Sequence, residues 1–300
     1  MKTGFIGIVG RPNVGKSTLL NAILGEKIAI TTDKPQTTRN TIRGIFTRNE
    51  EDNEEAGCQM VFIDTPGIHK PKNKLGSYMT DAATSTLREV DVILFLVDDE
   101  YAGQGSGDDY ILELLKQNNT HKILVINKID KLGPEAFRKT FETYEAMNIF
   151  DAIIGTQAKL GHNVDVLLET IEGMLVEGPM YFPADMVTDY PERFLVSEII
   201  REKVLMYLND EVPHGVAIEI EMYEEKPEIT NIGAVIYCEK KSHKGILIGK
   251  EGKKLKGIGK SARLEIEGLL GTKVYLELWV KVRENWRDSQ TDLSNFGYKG

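Results

Sequence analysis

Short apolar runs recur through the first 176 residues, with amphipathic stretches at helical spacing between them. The runs predict strands at 4–9, 42–48, 59–64, 91–98, 122–127 and 149–155. The intervening stretches predict helices at 16–24, 75–88, 107–117, 134–147 and 163–175. The acidic stretch Asn49 to Gly57 reads as the tip of a hairpin between strands two and three. Such alternation predicts an α/β fold, a mostly parallel sheet with helices on both faces. Ligands in that architecture bind at the carboxyl ends of the strands.

The pattern breaks at 177–192, where Gly178, Pro179, Pro183 and Pro191 read as an ordered linker. From 193 to 300 a second, α+β unit is expected. Phe194 to Leu208 is amphipathic, with Leu195, Ile199, Ile200 and Leu205 facing a core. Val216 to Tyr223 and Ile232 to Glu239 read as strands, Ser261 to Leu270 as a helix, and Lys273 to Val282 as a further strand.

A length of 300 residues with 41% hydrophobic content supports two cores. Lys2 and Thr3 lead straight into a strand, so no signal peptide is expected, and no apolar run reaches membrane-spanning length. Cys58 and Cys238 are far apart and fit neither a disulfide framework nor a zinc site. The chain reads as cytosolic. A net charge of −9 argues against an indiscriminate polyanion binder.

Against that background the chemistry is concentrated. Gly10-Arg11-Pro12-Asn13-Val14-Gly15-Lys16-Ser17, followed by Thr18, stands directly after the first strand and before a helical pattern. A strand, a Gly-rich turn and a helix N-terminus aim backbone N–H groups at one small volume, which suits phosphate. Lys16 can reach the terminal phosphates and the Ser17 hydroxyl can ligate Mg²⁺. Asp64-Thr65-Pro66-Gly67 ends the third strand; Asp64 is placed to hold Mg²⁺ through water, and the Gly67 N–H to approach the γ-phosphate. Between these motifs, 33–40 is polar and aperiodic and reads as a mobile loop. One threonine in it, Thr38 ahead of Thr37, would complete the metal shell.

Asn127-Lys128-Ile129-Asp130 follows the fifth strand and selects the base. A carboxylate there accepts hydrogen bonds from guanine N1–H and its exocyclic amine. Adenine offers no such donor pair, and a buried unpaired acceptor costs about 1–3 kcal/mol. Asn127 would brace the loop, and the Lys128 stem would cover the base.

In the second unit, Gly249-Lys250-Glu251-Gly252 joins two helical segments. This is the GXXG arrangement of KH modules, which clamp about four single-stranded nucleotides. Ile246, Ile248 and Leu255 are expected to floor the groove, with Lys253 and Lys254 beside it. Lys240 to Arg263 holds nine Lys/Arg against one Glu, a basic island in an acidic chain that favours RNA. The order helix–strand–strand–helix–helix–strand is that of the type II variant.

Taken together, GRPNVGKSTLLNAILG, PQTTRN, DTPG, NKID, SEIIREK, IGKEGKKLK and LELWVKV resemble the Era GTPases of bacteria over essentially the whole chain. The resemblance implies a Ras-like GTPase domain (1–176), a linker (177–192) and a KH domain (193–300). It also implies GTP hydrolysis, binding of 16S ribosomal RNA near its 3′ end, a role in assembling the 30S subunit, and peripheral association with the inner membrane. Catalytic roles would fall to Lys16, Asn13, Thr38 and Gly67. Asn13 sits where some related GTPases recruit K⁺; bracing of the loop is the alternative reading.

Two positions depart from common GTPase patterns. Gln157-Ala158 stands where Ser-Ala is usual, leaving the Ala158 N–H as the expected donor to guanine O6. Ile68 follows Gly67, where a Ras-type enzyme has a water-orienting glutamine. The second function consistent with these residues is an RNA-binding scaffold that uses GTP structurally with little turnover.

Overall fold

The computed structural model describes residues 1–50, 53–68, 71–98, 106–208 and 212–298. The N-terminal part carries β1 (Lys2–Gly10), α1 (Lys16–Leu24), β2 (Ile42–Glu50), β3 (Asn53–Asp64), α2 (Lys74–Thr86) and β4 (Val92–Val97). It continues through α3 (Ser106–Lys116), β5 (His121–Asn127), α4 (Pro134–Glu145), β6 (Ala152–Thr156), α5 (Val164–Met174) and β7 (Val176–Glu177). The sheet order is β2-β3-β1-β4-β5-β6, with a short β7 against β1. All pairings are parallel except β2 with β3 and β7 with β1.

The unbroken apolar run of β4 follows from burial on both faces. Val92, Leu94 and Leu96 enter the core shared with α1 and α5, whereas Ile93, Phe95 and Val97 enter the core under α2, α3 and α4. Period-2 alternation thus feeds two hydrophobic layers from one strand. The expected hairpin tip at 49–57 is largely ladder instead. Pairing runs on to Glu50 opposite Asn53, with an irregularity after Arg48, and the turn itself lies outside the described residues. Backbone pairing extends that hairpin where the side chains give no apolar alternation.

The linker is held by named bonds. Gln59, fully buried on β3, accepts from the Tyr181 and Phe182 N–H groups at 2.7 and 3.0 Å and donates to the Phe182 carbonyl. Further on, Ile45 N–H donates to the Val187 carbonyl at 2.8 Å and the Thr188 hydroxyl to the Arg43 carbonyl at 2.7 Å. The outer edge of β2 is thereby covered by residues 187–188.

The second part carries α6 (Glu192–Tyr207), β8 (Val216–Lys226), β9 (Ile229–Cys238), α7 (Lys241–Ile248), α8 (Lys253–Leu270), β10 (Lys273–Val282) and α9 (Gln290–Asn295). Its sheet runs β10-β9-β8, with β9 antiparallel to β8 and parallel to β10. The helix expected at Ser261 starts eight residues earlier, at Lys253. Gly257 and Gly259 argue against helix by propensity, but packing overrides them. A Cβ on Gly257 would lie 2.8 Å from the Tyr207 ring, and one on Gly259 3.4 Å from Leu278. The C-terminal tail is also ordered by aromatics. Trp286 is fully buried, donates from Nε1 to the Gly215 carbonyl at 2.9 Å, and packs against Phe296 and Tyr298.

The compact units are not contiguous in sequence. One comprises Met1–Ala29, Thr38–Pro71 and Met79–Asp189; the other comprises Tyr190 onward together with Ile30–Thr37 and Lys72–Tyr78.

Candidate nucleotide and RNA sites

The phosphate loop closes the carboxyl end of β1. Gly15 is left-handed at φ 102°, and a Cβ there would meet the Asn127 amide at 2.3 Å, so the position requires glycine. Lys16 is buried and donates to the Gly10 and Arg11 carbonyls at 3.1 and 2.9 Å, with its ammonium inside the loop. Burial pushes that ammonium down to about 8, against the pull of Asp64 and Asp98.

Three oxygens meet below the loop. The Ser17 hydroxyl donates to Asp64 Oδ2 at 2.6 Å and lies 2.8 Å from the Thr38 hydroxyl, which is 3.4 Å from the same Asp64 oxygen. Thr37 is engaged elsewhere, with Thr32 at 2.7 Å and the Lys34 carbonyl at 2.6 Å. Asp64 is fully buried, and its Oδ1 has no hydrogen-bond partner. Burial pushes this carboxyl up to about 6, although Lys16, Ser17 and Thr38 all favour its charged form. An orphaned buried oxygen beside two hydroxyls fits a hard cation or its bound water. Thr65 anchors the turn through its hydroxyl on the Ile8 carbonyl at 2.7 Å. After Pro66, Gly67 passes so close to Pro12 that a Cβ would lie 2.7 Å from its nitrogen. Ile68 points into the hydrophobic core under α2 and α3.

The base motif is cross-braced to the loop. Asn127 Nδ2 donates to the Val14 carbonyl at 2.8 Å, and its Oδ1 accepts from the Thr156 hydroxyl and the Ala158 N–H, both at 3.1 Å. The Ala158 N–H, expected to address guanine O6, is here directed at Asn127. Lys128 donates to the Asn13 carbonyl and to Asp98 Oδ2, both at 2.6 Å. Asp130 sits on a short turn after β5 with its carboxylate exposed.

Asp98 and Asp108 escaped the sequence reading. Asp98 binds Lys128 and lies 3.7 Å from Arg11, which also pairs with Asp108 at 2.9 Å. The signal was available for Asp98, which follows the carboxyl end of β4 just as Asp64 ends β3.

In the second unit the Gly249–Gly252 turn has positive φ at Gly249, Glu251 and Gly252, the last two in the left-handed region. Lys250, Glu251 and Lys253 are exposed; Ile248 and Lys254 are half-buried. An open groove of about 380 Å³ runs beside it, lined by Gly252, Leu255, Lys256, Lys260, Arg263 and the β10 residues Leu276 and Leu278. Leu255 floors the groove as expected, but Ile246 is exposed and Ile248 packs on the interior cluster. The remaining floor comes from β10, because its parallel pairing with β9 carries that strand alongside α8.

Residues 5–128 match the family model described as 50S ribosome-binding GTPase, and residues 211–287 match that of the KH domain. The chain is 55% identical to GTPase Era of Alkaliphilus metalliredigens over 99% of both chains. It is 56% identical to GTPase Era of Clostridioides difficile over 99% of this chain and 98% of that one. Among solved structures, a variant of Aquifex aeolicus Era bound to GDP·AlF4⁻ superposes with a TM-score of 0.94 at 41% identity, covering both chains completely. Era in complex with MgGDPNP and nucleotides 1506–1542 of 16S ribosomal RNA gives 0.93 at 42%, with the same coverage. With identity above half across its full length and both component domains matched, the chain belongs to the Era family of GTPases.

Proposed function

We propose that this GTPase binds 16S ribosomal RNA near its 3′ end through the groove beside Gly249–Gly252 and uses its nucleotide state to govern that grip during assembly of the small subunit. The observation that carries the reading is the convergence of Ser17, Thr38 and Asp64 oxygens within hydrogen-bond reach under the phosphate loop. The relative solved with MgGDPNP and a 16S fragment supports both ligands.

In this reading Ser17 and Thr38 would ligate Mg²⁺ and Asp64 would hold it through water, and the ion would supply positive charge beside the terminal phosphates. Lys16 and the loop N–H groups stabilise the negative charge that spreads as water attacks the γ-phosphate in line. Gly67 N–H approaches the same phosphate. Asn127, Lys128 and Asp130 hold guanine. Asn13 lies at the loop's exposed tip, where a monovalent cation would add positive charge; equal hydrolysis rates in potassium and sodium buffers would remove that role. The proposed location is the cytoplasm with peripheral contact at the inner membrane face, tested by flotation with vesicles. Among the described residues no helix is long and apolar enough to cross a membrane.

The test is a titration of a 16S 3′-end fragment against the protein loaded with GDP or GDPNP. Different affinities in the two states are expected, with binding lost in the Gly249→Asp/Gly252→Asp double variant; identical affinities would remove the switch. A scaffold with little turnover is the second reading, favoured by the burial of Ile68, which leaves that position no side chain to orient water. Multiple-turnover phosphate release, with Lys16→Ala as control, separates the two.

A further inference from the structure

Arg11, Asp98, Asp108 and Lys128 form one connected cluster of charges, all within the compact unit that holds the phosphate loop. Carboxylates beside such a loop oppose the charge of its ligand unless cations balance them. Asp98 gives one oxygen to each of two cations. Its Oδ2 accepts from Lys128 Nζ at 2.6 Å, and its Oδ1 lies 3.7 Å from Arg11 Nη2. Arg11 turns its Nε to Asp108 in the first turn of α3, at 2.9 Å, and Asp108 is 1% exposed. The aliphatic stem of Arg11 passes so close to Gly107 that a Cβ there would lie 3.3 Å from both Cγ and Cδ. Lys128 completes the chain through its bond to the Asn13 carbonyl at 2.6 Å. Charged side chains thus join α3, the phosphate loop and the turn after β5.

Lys128 and Asn13 both have left-handed backbone, at φ 59° and 67°. Asparagine tolerates that region, but lysine has no short polar side chain to bond locally and is strained there. The two bonds of its ammonium offset that strain and fix where its stem runs. We infer that Asp98 is a positioning residue for guanine nucleotide, supported by Asp108 through Arg11: it fastens Lys128 to the phosphate loop so that the lysine stem stands ready across the base plane. The inference rests on the reading of Lys128 as the cover of guanine. Arg11 balances the second oxygen of Asp98, whose charge also pulls up the Lys16 ammonium that burial pushes down. By linkage, a nucleotide that depends on the fastened Lys128 must equally stabilise the first turn of α3. The cluster does not include Thr38 or Gly67, the residues read as sensing the γ-phosphate, so GDP and GDPNP should respond to it alike.

The experiment times release of fluorescent GDP and fluorescent GDPNP from the full-length chain. It compares wild type, Asp98→Asn, Asp98→Glu, Asp108→Asn, Lys128→Met and the Lys128→Met/Asp98→Asn double variant, with thermal unfolding of nucleotide-free protein as a folding control. Asp98→Asn is expected to speed release of both nucleotides about tenfold, the value of one charge-assisted hydrogen bond. Asp98→Glu should recover part of the loss, and Asp108→Asn should give a smaller acceleration of the same kind. Lys128→Met should also speed release, and adding Asp98→Asn to it should change the rate by less than about twofold, because Asp98 works through the lysine. Unchanged release in Asp98→Asn, or full additivity in the double variant, overturns the inference. If Lys128→Met leaves release unchanged, the reading of Lys128 as the base cover fails; if Lys128→Met speeds release and Asp98→Asn does not, only the role of Asp98 fails. Should the Asp98 variants not fold, hydrogen exchange in the wild type decides. Amides 107–110 must be better protected with GDP than without nucleotide, and equal protection overturns the proposal.

Discussion

The side-chain amide of Asn127 donates to the Val14 carbonyl at 2.8 Å, tying the Asn127–Asp130 turn to the Gly10–Ser17 loop. The same amide's oxygen holds Thr156 and the Ala158 N–H, so one residue ties its own turn to two segments that lie far from it in sequence. Asn127→Ala removes all three bonds and leaves buried groups unpaired. GDP and GDPNP affinities are expected to fall together, by about 1–3 kcal/mol or about 5- to 150-fold, in titrations with a fluorescent guanine nucleotide. A loss confined to one nucleotide would contradict this shared bracing role.

Asp130 gives a test of base identity. Asn at this position offers an amide donor where guanine also offers donors. Asp130→Asn should weaken GTP by at least about thirty-fold, from the mismatched pairs. It should also improve binding of xanthosine triphosphate, which carries an acceptor at C2. Retained GTP preference in competition binding would remove Asp130 from the base site.

Burial raises Asp64 from 3.8 to about 6. A carboxyl whose folded pKa is raised contributes stability fully below its unfolded value and loses it as pH rises through the folded one. In chelator, ionised Asp64 therefore costs the fold up to about 3 kcal/mol above pH 6, from about two units at 1.36 kcal/mol each. Asp64→Asn should be the more stable protein in denaturant melts at pH 7.5, with the gap closing towards pH 4. A constant difference across that range would show that Asp64 does not titrate as its burial implies.

Gly257 lies under Tyr207, whose hydroxyl is 3.0 Å from the Ser261 hydroxyl. Gly257→Val should cost about 1–3 kcal/mol by overpacking, read as a lowered Tm. Tyr207→Ala in the same chain should relieve part of that cost, giving a less than additive double variant. Full additivity would mean that the two residues do not press on one another.

The geometry of the glycine-rich loop and of the turns after β3 and β5 was legible because each is local. A strand end, a turn and a helix start within nine residues, Gly10 to Thr18, aim the N–H groups without outside help. Asp64 and Asn127 follow the same rule at the ends of β3 and β5. The chain's own order also carried the strand-and-helix sequence of both parts, since periodicity records which face each element buries.

Other features depend on partners that periodicity does not encode. Gly257 and Gly259 read as helix breakers until Tyr207 and Leu278 occupy the space their missing side chains leave. Leu276 and Leu278 read as ordinary strand core until parallel pairing with β9 brings β10 beside α8. The polar face of α6 reads as solvated, yet Arg201 and Glu202 are buried where residues 31–37, 164 and 171 positions earlier at the two contacts, supply a carbonyl and an N–H. Composition and spacing alone thus determined an α/β part followed by an α+β part, a glycine-rich loop at the end of β1 and a basic turn. Which distant side chains complete those sites was decided by packing, because a buried polar group is stable only where the folded chain delivers its partner.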